Sequence, residues 1–187
     1  MSSVTVDVFM SVDGWAGSDG LPGYFGYLGP ELADWIRNEG EAPQLVLLGR
    51  RTYQMLADLP EEFRDEGWDR LSRLDKVVFS RTLTSAAWSN TRICNGGLVD
   101  EVTALREASP VPLRTMGSLS LARQLVAAGV VDRLRLMVFP LFAGPAGREA
   151  AFDGVAAAGL ALVDHRTLDG RVLLVEYRPT GRDIPRA

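Results

Sequence analysis

Leu45-Val46-Leu47-Leu48-Gly49-Arg50-Arg51-Thr52-Tyr53 changes character at its centre: four apolar residues, a glycine, then two guanidinium groups, a hydroxyl and a phenol. A short, continuous apolar run marks a strand covered on both faces, and Arg50 to Ala57 reads as the helix that follows. The succession recurs twice. Lys76-Val77-Val78-Phe79 runs into Ser80-Arg81-Thr82, and Leu113 to Met116 runs into Gly117-Ser118-Leu119-Ser120, with Leu119 to Ala128 helical. In a parallel α/β sheet these carboxyl ends lie along one edge, where ligands bind. Glycine lets the backbone approach a phosphate, and the free N–H groups of a helix start hold the anion. Arginine and threonine add hydrogen bonds, those from arginine charge-assisted. One such strand end is also an ordinary turn or N-cap. Three together, two of them carrying arginine, favour a polyanionic ligand of dinucleotide size. Neither a Walker A loop nor the glycine-rich dinucleotide fingerprint is present, so the common nucleotide folds are not supported.

Outward from these three ends the chain alternates. Val4 to Met10 reads as a strand, and Ser11 to Gly29 is a long loop with a glycine every third residue from Gly14 onward. Loops of that length in a compact domain are commonly functional. Pro30-Glu31-Leu32-Ala33-Asp34-Trp35 opens a helix with its acids early, as the helix dipole favours. Pro60 to Leu74 is charged and partly helical, Thr91 to Cys94 reads as a strand and Val99 to Ala108 as a helix. After Asp132 to Leu141, the strands Leu160–Thr167 and Arg171–Arg178 flank Asp169-Gly170, a two-residue hairpin signal. The pattern predicts one α/β domain over residues 1–187: a mainly parallel mixed sheet with an antiparallel C-terminal hairpin and flanking helices.

Composition narrows the chemistry. Net charge is −4, with 47% hydrophobic and 24% charged residues, so no basic field invites nucleic acid. One cysteine (Cys94) and one histidine (His165) exclude a disulfide framework, a Cys/His zinc site and a zinc-dependent deaminase. His165 falls in a late alternating strand and reads as solvent-facing, Cys94 as a small core residue. No metal site is expected. No apolar run is long enough for a membrane span, and Met1 to Phe9 has neither the basic start nor the cleavage site of a signal peptide. The cytoplasm is the expected compartment.

Ser11-Val12-Asp13-Gly14, Leu47 to Tyr53, Lys76 to Leu83, Gly117-Ser118 opening a helix, and Gly129 to Leu134 followed by Phe139-Pro140-Leu141-Phe142-Ala143-Gly144 together resemble the dihydrofolate-reductase-like superfamily. More closely, their order and spacing resemble the C-terminal reductase domain of the bifunctional riboflavin-biosynthesis deaminase-reductase and its stand-alone bacterial relatives. The resemblance spans Val4 to about Pro179. It implies an eight-stranded mixed sheet with NADPH across the carboxyl edge. Gly49, Arg50 and Thr52 would meet the pyrophosphate, and Ser80, Arg81 and Thr82 the 2′-phosphate. Gly117, Ser118, Leu119 and Ser120 would meet the pyrophosphate from its other side. Val12 to Ala16 would border the nicotinamide. The implied activity is NADPH-dependent reduction of a small heterocycle, an aminopyrimidine or a pterin. With one cysteine the fused deaminase half is ruled out, and no arginine beyond those assigned to cofactor stands out as a clamp for a phosphoribosyl group.

Hydride transfer to a C=N or C=O bond needs a nearby proton. The resemblance points to the first helix, where Glu31 or Asp34 stands near the place dihydrofolate reductases keep a carboxylate; Asp13 is the remaining candidate. Each also has a bland role, as dipole complement or turn former. The glycine-rich loop is expected to act as a lid, and Trp15 is the one tryptophan open to either packing or lining a pocket. The apolar run Leu136 to Phe142, with late strands that bring no helix, predicts a homodimer. A different class of function, a nucleotide-binding sensor without turnover, shares the same strand-end features.

Overall fold

The computed structural model describes residues 1–181; the last six residues of the single domain expected from the sequence lie outside the described residues. Eight strands form one sheet: β1 (Val4–Ser11), β2 (Leu45–Gly49), β3 (Asp75–Phe79), β4 (Thr91–Cys94), β5 (Leu113–Thr115), β6 (Arg133–Phe139), β7 (Leu160–Leu168) and β8 (Val172–Pro179). Five helices connect them: α1 (Pro30–Glu41), α2 (Arg50–Ala57), α3 (Glu66–Arg73), α4 (Leu98–Ala108) and α5 (Leu119–Ala127). The strand order is β4-β3-β2-β5-β1-β6-β8-β7. The first six strands pair in parallel, and β8 then pairs antiparallel with both β6 and β7. This is the mixed sheet expected from the sequence, with strand ends within two residues of the expected ones; α1 runs on to Glu41, and the helix within Pro60–Leu74 begins only at Glu66.

Alternation along the strands decides which helix covers which face. Val4, Val6 and Val8 of β1, with Leu47 and Val77, pack against Val102 of α4 and Leu121 and Leu125 of α5. The opposite parity faces the other layer. Met137, Phe139 and Leu174 lie under Leu32 and Trp35 of α1, while Val46, Leu48 and Val78 lie under Tyr53 of α2 and Leu71 of α3. Burying each such side chain stabilises the fold by about 1.5–3 kcal/mol.

Two helix starts are closed by carboxylates. Asp65 accepts a hydrogen bond from Trp68 N at the start of α3. The start of α1 is closed by the β7–β8 turn: Asp169 accepts from the N–H groups of Glu31 (2.9 Å) and Leu32 (3.1 Å), while the Glu31 carboxylate accepts from Asp169 N. This reciprocal cap joins segments 138 residues apart. Asp169 and Gly170, both at positive φ (52° and 63°), make the tight turn that presents it.

The chain's one lysine closes a helix end. Lys76 is 1% exposed, and its ammonium donates to the carbonyls of Leu71 (2.9 Å), Ser72 (3.2 Å) and Leu74 (2.6 Å) where α3 ends. Burial pulls its pKa down to about 8. Arg64, Trp68, Trp88 and Lys76 stack in that order, the two indoles 5.6 Å apart with a cation on each outer face.

Candidate functional site

The carboxyl ends of β2, β3, β4 and β5 open on one cavity of about 1090 Å³. Its phosphate-sized features come from the three strand ends read in the sequence and from a fourth. Gly49, Arg50 and Thr52, then Ser80, Arg81 and Thr82, then Gly117, Ser118, Leu119 and Ser120 all line it, as does Ala16. Asn95-Gly96-Gly97 at the end of β4 lines it as well. The sequence reading missed that end, although it has the same signal: an apolar pair, Ile93-Cys94, then small residues, then a helix start.

Local chemistry explains why these ends are open. The N-caps of α2, α4 and α5 are Gly49, Gly97 and Ser118, and none gives its helix a side-chain cap. The first N–H groups of a helix have no partner within it, so three helix starts present donors and dipole to one cavity. Ser118 is spent on holding two ends together: its hydroxyl accepts from Gly49 N (2.8 Å) and bonds Thr52 Oγ1 (2.8 Å). A Cβ on Gly49 would sit 2.6 Å from Ser118 Oγ, and one on Gly117 (φ 57°) would sit 2.9 Å from the Thr52 methyl. Only glycine fits either position.

Charge around these ends is unspent. Arg51 and Arg81 make no hydrogen bond or ion pair with any described residue, and Arg50 reaches only Gln54. Ser80 is turned to structural use, its oxygen accepting from the N–H groups of Thr82 (3.2 Å) and Leu83 (3.0 Å). Thr115 is 1% exposed and lines the cavity, yet its Oγ1 has no partner among the described residues. A buried hydroxyl left unpaired is costly, which marks this cavity as one a polar ligand completes. Donors, open helix starts and glycine cradles fit a dinucleotide with several phosphates.

Beyond the strand ends, the cavity continues beneath α1, walled by Phe9, Tyr24, Trp35 and Ile36. Asp7 and Arg114 line it there, and both are paired with Arg135 and Glu39 behind them. Arg135 forks onto Asp7 (2.7 and 3.1 Å) and reaches Glu39 (2.8 Å). Arg114 donates through Nε to Asp7 and through Nη1 to the Glu39 carbonyl (3.1 Å) and carboxylate (3.3 Å). Trp35 lies over both guanidinium groups, at 5.5 Å and 5.1 Å. Asp7 and the two arginines are mostly buried, and breaking such a pair by removing one partner costs about 3–5 kcal/mol. The sequence reading did not find this group.

The three carboxylates considered as proton donors lie elsewhere, and none lines the cavity. Glu31 is engaged in the α1 cap, and Asp34 pairs with Arg37 on the exposed side of α1. Asp13 accepts from Ser11 Oγ (2.6 Å) and from the N–H groups of Ala143 (3.0 Å) and Gly144 (2.8 Å). Those bonds, the hydroxyl first, hold its pKa at about 2, so near neutral pH it has no proton to give. Val12 also lies off the cavity, 54% exposed, its N–H donating to the Leu141 carbonyl. The loop expected to act as a lid is tied to residues 147–150 by bridges from Trp15 and Ser18, and Trp15 packs on Gly147 rather than lining the cavity. Tyr24, held at positive φ with Phe25, is the residue of this loop's far half that lines it.

Comparison with known proteins gives this arrangement a context. The family model described as the RibD C-terminal domain matches residues 2–174. The uncharacterised protein YyaP of Bacillus subtilis is 25% identical over 141 residues, 73% of this chain and 74% of its own. Among solved structures, a Shewanella protein provisionally assigned to riboflavin biosynthesis superposes with a TM-score of 0.70 at 15% identity, covering 95% of this chain and 99% of its own. A pyrimidine reductase-like protein from Corynebacterium diphtheriae gives 0.66 at 18% identity, covering 97% and 93%. These likenesses show a shared fold.

Proposed function

The chain belongs to the RibD C-terminal domain family, and from that premise we propose that it is a reductase using NADPH to reduce a small heterocycle. The observation that carries the reading is the convergence of three uncapped helix starts and three arginines, none paired with a carboxylate among the described residues, on one cavity. The start of α2, with Arg50 and Thr52, and the start of α5, from Gly117 to Ser120, would hold the pyrophosphate. Arg81 and Thr82 would hold the 2′-phosphate. Bound there, the cofactor supplies hydride. Phe9, Tyr24, Trp35 and Ile36 then exclude water from the compartment that would take the substrate. Since Asp13, Glu31 and Asp34 do not line the cavity, the proton is assigned to water or to the Tyr24 hydroxyl, which does.

The test is a titration of NADPH by tryptophan fluorescence, followed by steady-state NADPH oxidation with pterins, folates and aminopyrimidinones. Binding with turnover on one of these classes is expected. Binding without turnover across the panel would favour a sensor of the same fold, and absence of binding would overturn the reading.

The same proposal includes a homodimer. Met137 and Phe139 are fully buried beneath α1, but on the other face Leu160, Leu162 and Leu173 are 41%, 56% and 41% exposed. A second copy would cover them. Light scattering at micromolar concentration should give twice the chain mass, and Leu162→Asp should give the monomer.

A further inference from the structure

We propose that Arg114 is the specificity residue of the compartment beneath α1, and that it selects a planar, uncharged ring by a carbonyl acceptor rather than by a phosphate. This rests on the reductase reading and names the substrate chemistry of that site.

The Arg114 guanidinium is only partly used by the fold. Nε is spent on Asp7, and Nη1 on the Glu39 carbonyl and carboxylate. Nη2 has no acceptor among the described residues, and Arg114 lines the cavity. Its plane is fixed by those bonds and by Trp35 above it, so two N–H donors are held at one place at no further cost of ordering. Pre-oriented donors of that kind discriminate strongly between a ligand that carries the acceptor and one that lacks it.

Charge decides the kind of acceptor. Asp7 and Glu39 offset Arg114 and Arg135, so the group of four is neutral overall. A phosphate dianion brought here would meet two carboxylates already bonded to the available guanidinium groups. A neutral carbonyl takes the Nη2 donors without disturbing either pair. The surrounding side chains suit the body of such a ligand: the Phe9 ring stands 5.5 Å from that of Tyr24 and 6.4 Å from that of Trp35 by centroids, an aromatic wall for an apolar ring. The arginines that could serve a phosphate, Arg50, Arg51 and Arg81, flank the strand ends instead.

The test uses lumazine, a pteridine dione, and unsubstituted pteridine, which has the ring but no carbonyl, titrated by calorimetry into free and NADPH-saturated protein. Lumazine should bind the wild type, and Arg114→Lys, which keeps the charge toward Asp7 but removes the fixed Nη2 donors, should weaken it at least tenfold. Pteridine should bind both proteins within a factor of two of each other, and NADPH affinity should not move. Ribose 5-phosphate should not displace lumazine. The proposal is overturned if lumazine does not bind, if it binds wild type and Arg114→Lys alike, if the variant loses both rings equally, or if ribose 5-phosphate displaces it. Failure of NADPH to bind would overturn the reductase reading, and the titrations into free protein would still decide the role of Arg114.

Discussion

The two ends of the cavity handle charge in opposite ways. Among the described residues, Arg50, Arg51 and Arg81 at the strand ends have no carboxylate partner and three helix starts have no side-chain cap. Beneath α1, Asp7, Glu39, Arg114 and Arg135 are paired among themselves, and α1 is closed by Asp169. A structure that caps one helix from 138 residues away and leaves three others open is not short of capping residues. Open ends await an anion; closed ends carry load for the fold. The contrast separates residues expected to alter ligand binding from those expected to alter stability.

The sharpest way to break it is Gly117→Val. The new side chain would press on Thr52 and require a positive φ that a β-branched residue resists. NADPH affinity should fall at least a hundredfold by fluorescence titration, with the fold retained by circular dichroism. Arg81→Ala comes next, with an expected loss of about 1.5–3 kcal/mol of NADPH affinity, the range for a hydrogen bond to a charged group. NADH should be nearly unaffected, and equal losses for both cofactors would remove Arg81 from the 2′-phosphate.

At the closed end the signs reverse. Asp169→Ala should cost about 0.5–2 kcal/mol of stability in urea melts, the range for a lost cap, and leave NADPH affinity unchanged. Glu31→Gln should lower stability by less and leave turnover at the wild-type rate; a hundredfold drop in turnover would restore Glu31 as a proton donor. The smallest effect belongs to acid. Asp13 titrates at about 2 in the fold, below the ordinary 3.8, so its tie between the Ser11 turn and the Ala143 loop is complete above pH 3.8. It is lost as pH falls toward 2. The stability difference between wild type and Asp13→Asn should close across that window.

What the sequence disclosed follows the same division. Strands and helices were legible because their signals are local: apolar runs stopped by glycine or serine, a proline opening α1, Asp169-Gly170 between two strands. The open ends of β2, β3 and β5 were legible for that reason, and that of β4 carried the same signal in Asn95-Gly96-Gly97. The closed end was not. Asp7, Arg114 and Arg135 sit singly in strands, 107 and 128 residues apart in sequence, where each reads as one polar position in an alternating pattern. Glu31 misled because an acid in a first helical turn looks the same whether it serves a reaction, a dipole or a distant turn. Its partner is visible only once the β7–β8 hairpin is folded against α1.

Lys76 has a use outside the biology of the cavity. As the chain's one lysine, it is the one side-chain amine for an acylating reagent to modify. In the closed fold three carbonyls and an indole shut the reagent out, so reaction waits for an opening. The rate at which acetyl mass accumulates there therefore counts openings of the α3–β3 corner, and the chain carries its own clock for local unfolding.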